Sequence, residues 1–393
     1  MSDIWPTVPA GTAPASPRPR RRRAGAVPAL VAAVAVVAAL AGLAVHQAGT
    51  FFVFSPGTAP VITTSASCRL DQGSLSLPGG SPCVRLEVPA HRAHRSTGRL
   101  LMVDVEVGQA SPLQWAEYEL GLLGREREMV PVAAYAGNTP ASELGCQDAQ
   151  QMSSANENAA LAALQALHYP VGGRELGAQV VGVLAGSPAW EAGVKCNDLI
   201  TAVDGQPVRT AASLTRYLAN LAPGTRVTLT DRPGGTRRAQ EVRVTLAAPP
   251  AKLVAQGFSD RSFLGVETQT DLRPVLPFPV SVNAGSIGGP SAGLAFTLAI
   301  LDSLGNGNLT GGHRVAATGT ISPDGAVGQV GGVREKTVAV RQAGAQIFFV
   351  PAAEYSQAEP LAGKSLRVVP VASLAQALAV LQHRFGGSPL PRH

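Results

Sequence analysis

The stretch that decides the fold is FPVSVNAGSIGGPSAGLAFTLAILDSL, Phe278 to Leu304. Phe278, Val280 and Val282 alternate, which predicts a strand. Gly285 to Pro290 supply a tight loop, and Ala292 to Leu304 read as an apolar helix stopped by Gly305. Ser291 then falls at a helix N-terminus, where unpaired N–H groups and the positive dipole end favour a developing oxyanion. A serine in that place is ordinarily an N-cap. The glycine-rich approach and a second segment downstream point further.

That second segment is GGVREKTVAVRQAG, Gly331 to Gly344, a helix with Gly344 as its stop. Around Lys336, positions i−3, i+3, i+4 and i+7 are Val333, Ala339, Val340 and Ala343, so the lysine sits inside the apolar stripe. Arg334, Glu335, Thr337, Arg341 and Gln342 take the wet face. A lysine so placed either snorkels to water or is held dry. Held dry, its pKa falls from about 10.4 to about 7 or 8, and the neutral amine becomes a general base. It would take the proton of the Ser291 hydroxyl as that oxygen attacks a peptide carbonyl, with no histidine or aspartate required.

From about Phe263 to Phe385 the chain resembles the proteolytic domain of the Lon family of Ser-Lys peptidases. The motifs that carry the resemblance are GGPSAG at Gly288 to Gly293, TGTISPDGAVGQVGGVREK at Thr318 to Lys336, and the run from AVRQAGA to FFVP ending at Pro351. The resemblance implies Ser291 as nucleophile, Lys336 as base and Thr318 as the hydrogen-bond partner that orients the lysine. Gly288, Gly289 and Ala292 flank the nucleophile as supporting positions. Gly288 stands where many ATP-dependent relatives carry an acid, which weakens any role for a carboxylate there. Lon-like domains commonly assemble into rings, so a homo-oligomer is among the partners implied. The nearest thing to a phosphate loop, AEPLAGKS at Ala358 to Ser365, lacks its first glycine. No nucleotide, metal or other cofactor is therefore expected, and substrates must arrive as peptides, loops or unfolded segments.

Upstream, LGAQVVGVLAGSPAWEAGVKCNDLITAVDGQPV reads as strand, turn, short helix, strand and turn. A helix with Leu214, Tyr217, Leu218 and Leu221 on one face follows, then a hairpin around Pro233-Gly234-Gly235. This unit, residues 168–248, resembles a bacterial PDZ domain through GSPA at Gly186, AGV at Ala192, NDLI at Asn197 and DGQPV at Asp204. Such a domain takes an extended peptide as an added strand. The expected edge is Gln179 to Leu184, with Val180 and Val181 in the groove and the carboxylate-binding turn among Gly172, Gly173, Leu176 and Gly177. A linker, AAPPAK at Ala247 to Lys252, precedes the Lon-like domain at 256–385.

The N-terminal third is less legible. Five of the six charges in residues 1–50 are arginines, so +4 of the net +6 lies in a basic tail, 1–23, and the remainder is too nearly neutral for a nucleic-acid face. Ala24 to Val45 is 22 residues without a charge, about 33 Å as a helix, and reads as a transmembrane anchor. The cationic flank would keep the N-terminus cytoplasmic and put the catalytic domain outside. A signal peptide cleaved near Ala39-Leu40-Ala41 is the alternative. Residues 46–167 form an α+β region, with a strand in LLMVDVEV (100–107) and a helix over 153–167. Four cysteines suit disulfides, Cys68 with Cys83 as first guess and Cys146 with Cys196 then tying two domains. A zinc site from Cys68, Cys83, His91 and His94 fits no common spacing.

The fold class expected is thus multidomain, α/β and α+β, with an anchor helix, an α+β region, a PDZ domain, a Lon-type domain and a disordered tail at 386–393. The function expected is ATP-independent, membrane-anchored serine endopeptidase. Its rivals are an inactive tethered PDZ scaffold and an α/β-hydrolase esterase using the GPSAG serine, for which no Asp-then-His order follows. An HtrA-type protease would carry its His-Asp-Ser domain ahead of the PDZ unit, and none is found there.

Overall fold

A computed structural model of the chain describes residues 35, 38–39, 41–71, 74–78, 80–135, 141–236, 238–255 and 261–391. The N-terminal part runs β1 (Phe51–Pro56), β2 (Val61–Thr63), a ribbon of β3 (Arg69–Asp71) and β4 (Ser74–Ser76), β5 (Cys83–Glu87), β6 (Arg99–Leu101), β7 (Val105–Gln109), α1 (Pro112–Glu119) and β8 (Glu128–Pro131). A 26-residue helix, α2 (Ala141–Ala166), follows. The middle unit holds β9 (Gly172–Val183), β10 (Leu199–Val203), β11 (Gln206–Pro207), α3 (Ala211–Leu218), β12 (Arg226–Arg232), β13 (Gln240–Thr245) and β14 (Val266–Val275). The C-terminal part holds β15 (Ser281–Asn283), α4 (Gly293–Leu304), β16 (Arg314–Ala317), β17 (Thr320–Ile321), β18 (Val327–Gly328), α5 (Val333–Gln342), β19 (Ile347–Pro351), β20 (Arg367–Val371) and α6 (Leu374–Phe385).

The principal sheet has the order β15-β5-β2-β6-β16-β19-β20. Three of its strands, β2, β5 and β6, come from residues 61–101, so the N-terminal region shares one sheet and one core with the C-terminal part. Strand β19 is buried throughout because both faces are covered. Ile347 and Phe349 face the core built with α2 and α4, while Phe348 and Val350 face the side of α5. The expected single strand at 100–107 divides into β6 and β7. Asp104 lies at the break, accepting hydrogen bonds from the Thr58 N–H and, at 2.9 Å, from the Thr58 hydroxyl. The chain passes there from the principal sheet into a small one ordered β7-β1-β8.

Helix α2 starts earlier than the expected 153–167 because its first half has partners on the middle unit. Gln147 Nε2 donates to Glu267 Oε2 at 3.2 Å, and Gln269 Nε2 donates to Ser154 Oγ at 2.7 Å. Farther along, Asn156 exchanges hydrogen bonds of 2.9 and 3.0 Å with the main chain of Val282 in β15. Its C-terminal half buries Ala159, Ala160, Ala163 and Leu164 in the principal core. Both disulfides anticipated from the cysteines are present, Cys68–Cys83 and Cys146–Cys196. The first leaves no thiolate for a zinc site at Cys68 and Cys83. The second fastens α2 to the middle unit across 50 residues of sequence.

The expected transmembrane helix is corrected. Among the described residues no helix is long and apolar enough to cross a membrane. The most apolar, α4, is 12 residues, about 18 Å against the roughly 30 Å of a hydrocarbon core. The longest, α2, carries polar residues through its first half. The stretch 24–45 lies mostly outside the described residues, as does the basic tail 1–23. The orientation with cytoplasmic N-terminus and external catalytic domain rested on that anchor and falls with it. The tail expected to be disordered at 386–393 is tied down where it is described: Gly387 N–H donates to Leu381 O at 3.0 Å and Ser388 N–H to Asn308 O at 2.9 Å.

Candidate active site

Ser291 sits in a single 3-10 turn, Pro290–Ala292, that feeds directly into α4. No side-chain cap bond is made at either helix start, so Ser291 is not serving as an N-cap. Its carbonyl is held by two donors, the Gly319 N–H at 2.9 Å and the Thr318 hydroxyl at 3.2 Å. Thr318 is fully buried and its own N–H donates to Phe349 O at 3.0 Å. The resemblance implied that Thr318 orients the lysine; the geometry instead has its hydroxyl bracing the main chain of the serine. Ala292 is buried beneath the turn.

The approach loop is pinned from outside the C-terminal part. Gly289, at φ +87°, donates its N–H to the carbonyl of Asp148 in α2 at 2.9 Å. A Cβ on Gly288 would stand 2.7 Å from the Asp148 Cβ, so α2 approaches too closely for any side chain at 288. This is a packing reason for glycine at 288.

Lys336, on α5, is 4% exposed, and burial pushes its amine down to about 8. The carboxylates of Asp104, Glu335 and Glu354 pull the other way without offsetting burial. No hydrogen bond or ion pair engages the amine among the described residues. It lines a cavity of about 680 Å³ that Ser291 also lines, along with Asp104, Glu106, Asp148 and Tyr135. The expected wet face of α5 is partly wrong. Glu335 and Thr337 are fully buried, because the helix is covered on a second side by β1 of the small sheet. The Thr337 hydroxyl turns back to Val333 O at 2.7 Å. Both Glu335 carboxylate oxygens lack a hydrogen-bond partner among the described residues, and burial pushes that carboxyl up.

The peptide groove of the middle unit is not where the sequence put it. Gly172, Gly173, Leu176, Gly177, Val180 and Val181 all lie on β9, an interior strand of the order β13-β12-β10-β9-β14. Register pairs run along its length to β14, from Gly172↔Val275 through Gly177↔Asp271 to Val183↔Val266, with Gln179↔Leu199 on the other side. A strand flanked in this way cannot accept a peptide, and its extended glycines form no turn. Among the described residues the edge of this sheet is β14, which has no strand beyond it.

Beside the start of β14 and helix α3 lies a cavity of about 580 Å³, lined by Leu214, Leu218 and the run Phe263 to Thr268. In the turn Phe263-Leu264-Gly265-Val266, the Leu264 carbonyl accepts from Ala189 N–H and the Gly265 carbonyl from Leu184 N–H, both at 2.9 Å. Among the described residues the N–H groups of Leu264 and Gly265 make no backbone hydrogen bond in this turn. Gly265 is at φ +85°, and a Cβ on it would meet Ser187 Cβ at 2.1 Å. The sequence signal for this turn was the Leu-Gly pair between apolar residues just after the linker.

Comparison with known proteins finds two domain families in the chain. The PDZ domain family matches residues 179–231, and the Lon protease (S16) C-terminal proteolytic domain matches residues 278–384. A probable periplasmic serine endoprotease, DegP-like, of Brucella suis is 42% identical over 76 residues, 19% of this chain and 14% of that protein. The Lon protease of Malacoplasma penetrans is 45% identical over 74 residues, 18% of this chain and 9% of that protein. The crystal structure of the PDZ domain of an SdrC-like protein from Listeria innocua is 25% identical, covering 23% of this chain and 92% of that one, with a TM-score of 0.20. The chain thus spans about a seventh or less of the length of these curated relatives. It carries a PDZ domain and a Lon C-terminal proteolytic domain, the latter of the serine-peptidase type.

Proposed function

We propose that the chain is an endopeptidase in which Ser291 is the nucleophile, Lys336 the general base, and the PDZ groove the recruiter of peptide or protein substrates. The observation that carries this reading is Lys336, a residue 4% exposed whose amine has no hydrogen-bond partner among the described residues, on the wall of the cavity that Ser291 also lines. An amine titrating near 8 is partly neutral at ordinary pH and can accept the serine proton.

In the first half-reaction the Ser291 Oγ–H bond breaks as Oγ bonds to the scissile carbonyl carbon, and the proton passes to Lys336 Nζ. The oxyanion that forms lies at the positive end of α4, where main-chain N–H groups favour it. Lys336 returns the proton to the leaving amine, leaving an acyl-enzyme, and water then enters by the same proton transfers in reverse. The bonds from Thr318 and Gly319 to the Ser291 carbonyl, and from Gly289 to Asp148, hold the nucleophile turn in place for this.

Recruitment uses the free edge of β14. A peptide added there in extended form would lay side chains against Leu214 and Leu218 and end with its carboxylate on the Leu264 and Gly265 N–H groups. The test is cleavage of an unfolded protein by wild type, Ser291→Ala and Lys336→Ala, each checked for folding by circular dichroism, with and without ATP. Cleavage abolished in both variants and indifferent to ATP is expected. Unchanged cleavage by Ser291→Ala would refute the dyad, and loss of cleavage on changing His383 instead would favour a hydrolase triad.

A further inference from the structure

The cavity shared by Ser291 and Lys336 has a lopsided charge. Asp104, Glu106 and Asp148 line it, and among the described residues Lys336 is the one cation of the lining, with no arginine or histidine. In the form competent for attack the amine is neutral, so the reacting enzyme would present three carboxylates and no positive charge. Asp104 is already engaged by Thr58. Glu106 and Asp148 have no hydrogen bond or ion pair from their side chains among the described residues, and both are exposed to the cavity mouth.

Acids alone would not make a binding site. Two independent features mark this one. Lys336 is a nine-tenths buried, unpartnered polar side chain on the same wall. Strand β7, which carries Glu106, pairs with β1 on one side and, among the described residues, with no strand on the other, leaving main-chain groups for an extended chain. Asp148 is fixed by its own main chain, whose carbonyl accepts the Gly289 N–H, and by its place two residues after the Cys146–Cys196 bridge.

Resting on the dyad reading above, we propose that this cavity selects substrates with an arginine or lysine side chain beside the scissile bond, received by Asp148 and Glu106. The Asp148 Cβ and main chain lie against Gly288 and Gly289, so the residue borders the same cavity as Ser291. A substrate cation there adds a second consequence. Like charges close together disfavour each other, so a bound cation would drive Lys336 further toward its neutral form. Burial and then the charge of Asp148 push the Tyr135 phenol up, in keeping with a carboxylate that no nearby cation offsets.

The test separates binding from turnover. Two labelled decapeptides, amidated at the C-terminus to keep them off the PDZ carboxylate turn, differ only in arginine or glutamine at one central position. Their affinity for the full-length Ser291→Ala variant is measured by fluorescence anisotropy at low and high salt. The arginine peptide should bind about fivefold tighter, the size of one half-exposed charge pair, with the preference shrinking in salt. Asp148→Asn and Glu106→Gln, each in the Ser291→Ala background, should each reduce it, and the double change should abolish it. With active enzyme the same preference should appear in kcat/KM, with kcat at pH 7 also higher for the arginine peptide as the bound cation favours the neutral amine. Equal binding of the two peptides, or a preference untouched by both changes, overturns the proposal. Cleavage by Ser291→Ala would instead refute the dyad while leaving the binding comparison to stand by itself.

Discussion

If Lys336 is the base, kcat/KM should track the fraction of its amine that is neutral. With a pKa of about 8 that fraction is about 9% at pH 7 and about 91% at pH 9, a tenfold rise that then levels off. A lysine at its ordinary 10.5 would give about a hundredfold rise over the same interval with no plateau. The assay is initial-rate cleavage of a peptide with no group titrating between pH 6 and 10, which reports the free enzyme. Asp104→Asn supplies the internal check. Burial lowers this amine and Asp104 is foremost among the carboxylates holding it up, so losing that charge should move the midpoint to lower pH. Lys336→Arg should be inactive throughout, since a guanidinium does not deprotonate. A flat profile, a hundredfold climb, or a midpoint that rises in Asp104→Asn would refute the reasoning.

The same depressed pKa fixes a stability effect. Between about pH 8 and 10.5 the unfolded chain binds a proton at Lys336 that the folded chain does not, so folding gains as pH rises through that window. Lys336→Met should therefore be more stable than wild type by about 3 kcal/mol at pH 7, with the gain fading toward pH 10.5, measured by urea unfolding at each pH. Opening the Cys146–Cys196 bridge by a double change to serine should cost up to about 4 kcal/mol by loop-closure entropy for its 50-residue span, read as a lower denaturant midpoint. Gly265→Ala should abolish binding of peptides with a free C-terminus, by fluorescence anisotropy, while leaving cleavage of short amidated peptides intact. The positive φ and the Ser187 contact forbid the methyl group.

What could be read from the residues was what local pattern controls. The stripe around Lys336 placed that amine in the dry, and α4 and the hairpin β12–β13 follow from their periods and turns. What failed depended on distant partners. Nothing near β9 announces that its edge is taken by β14, some 90 residues later, and that pairing leaves the expected groove residues on an interior strand. Glu335 and Thr337 sit on the polar side of their helix by sequence, yet β1 covers them from a segment nearly 300 residues earlier. The strands at 61–101 looked like a separate region because their neighbours, β15 and β16, lie beyond the whole PDZ domain. The Gly288–Asp148 contact is of the same kind, a steric reason visible only once α2 is in place.

Gln147 borders the cavity beside β14 and α3, Asp148 borders the cavity of Ser291 and Lys336, and these are successive residues of one helix. The partition between the two chambers is therefore about one helix thick, on the order of 10 Å. A polypeptide gripped by its terminal carboxylate in the first chamber needs to bend back over only a few residues to reach the second. Under the proposed function such an enzyme would trim tails, releasing short C-terminal snippets and leaving the body of its substrate whole.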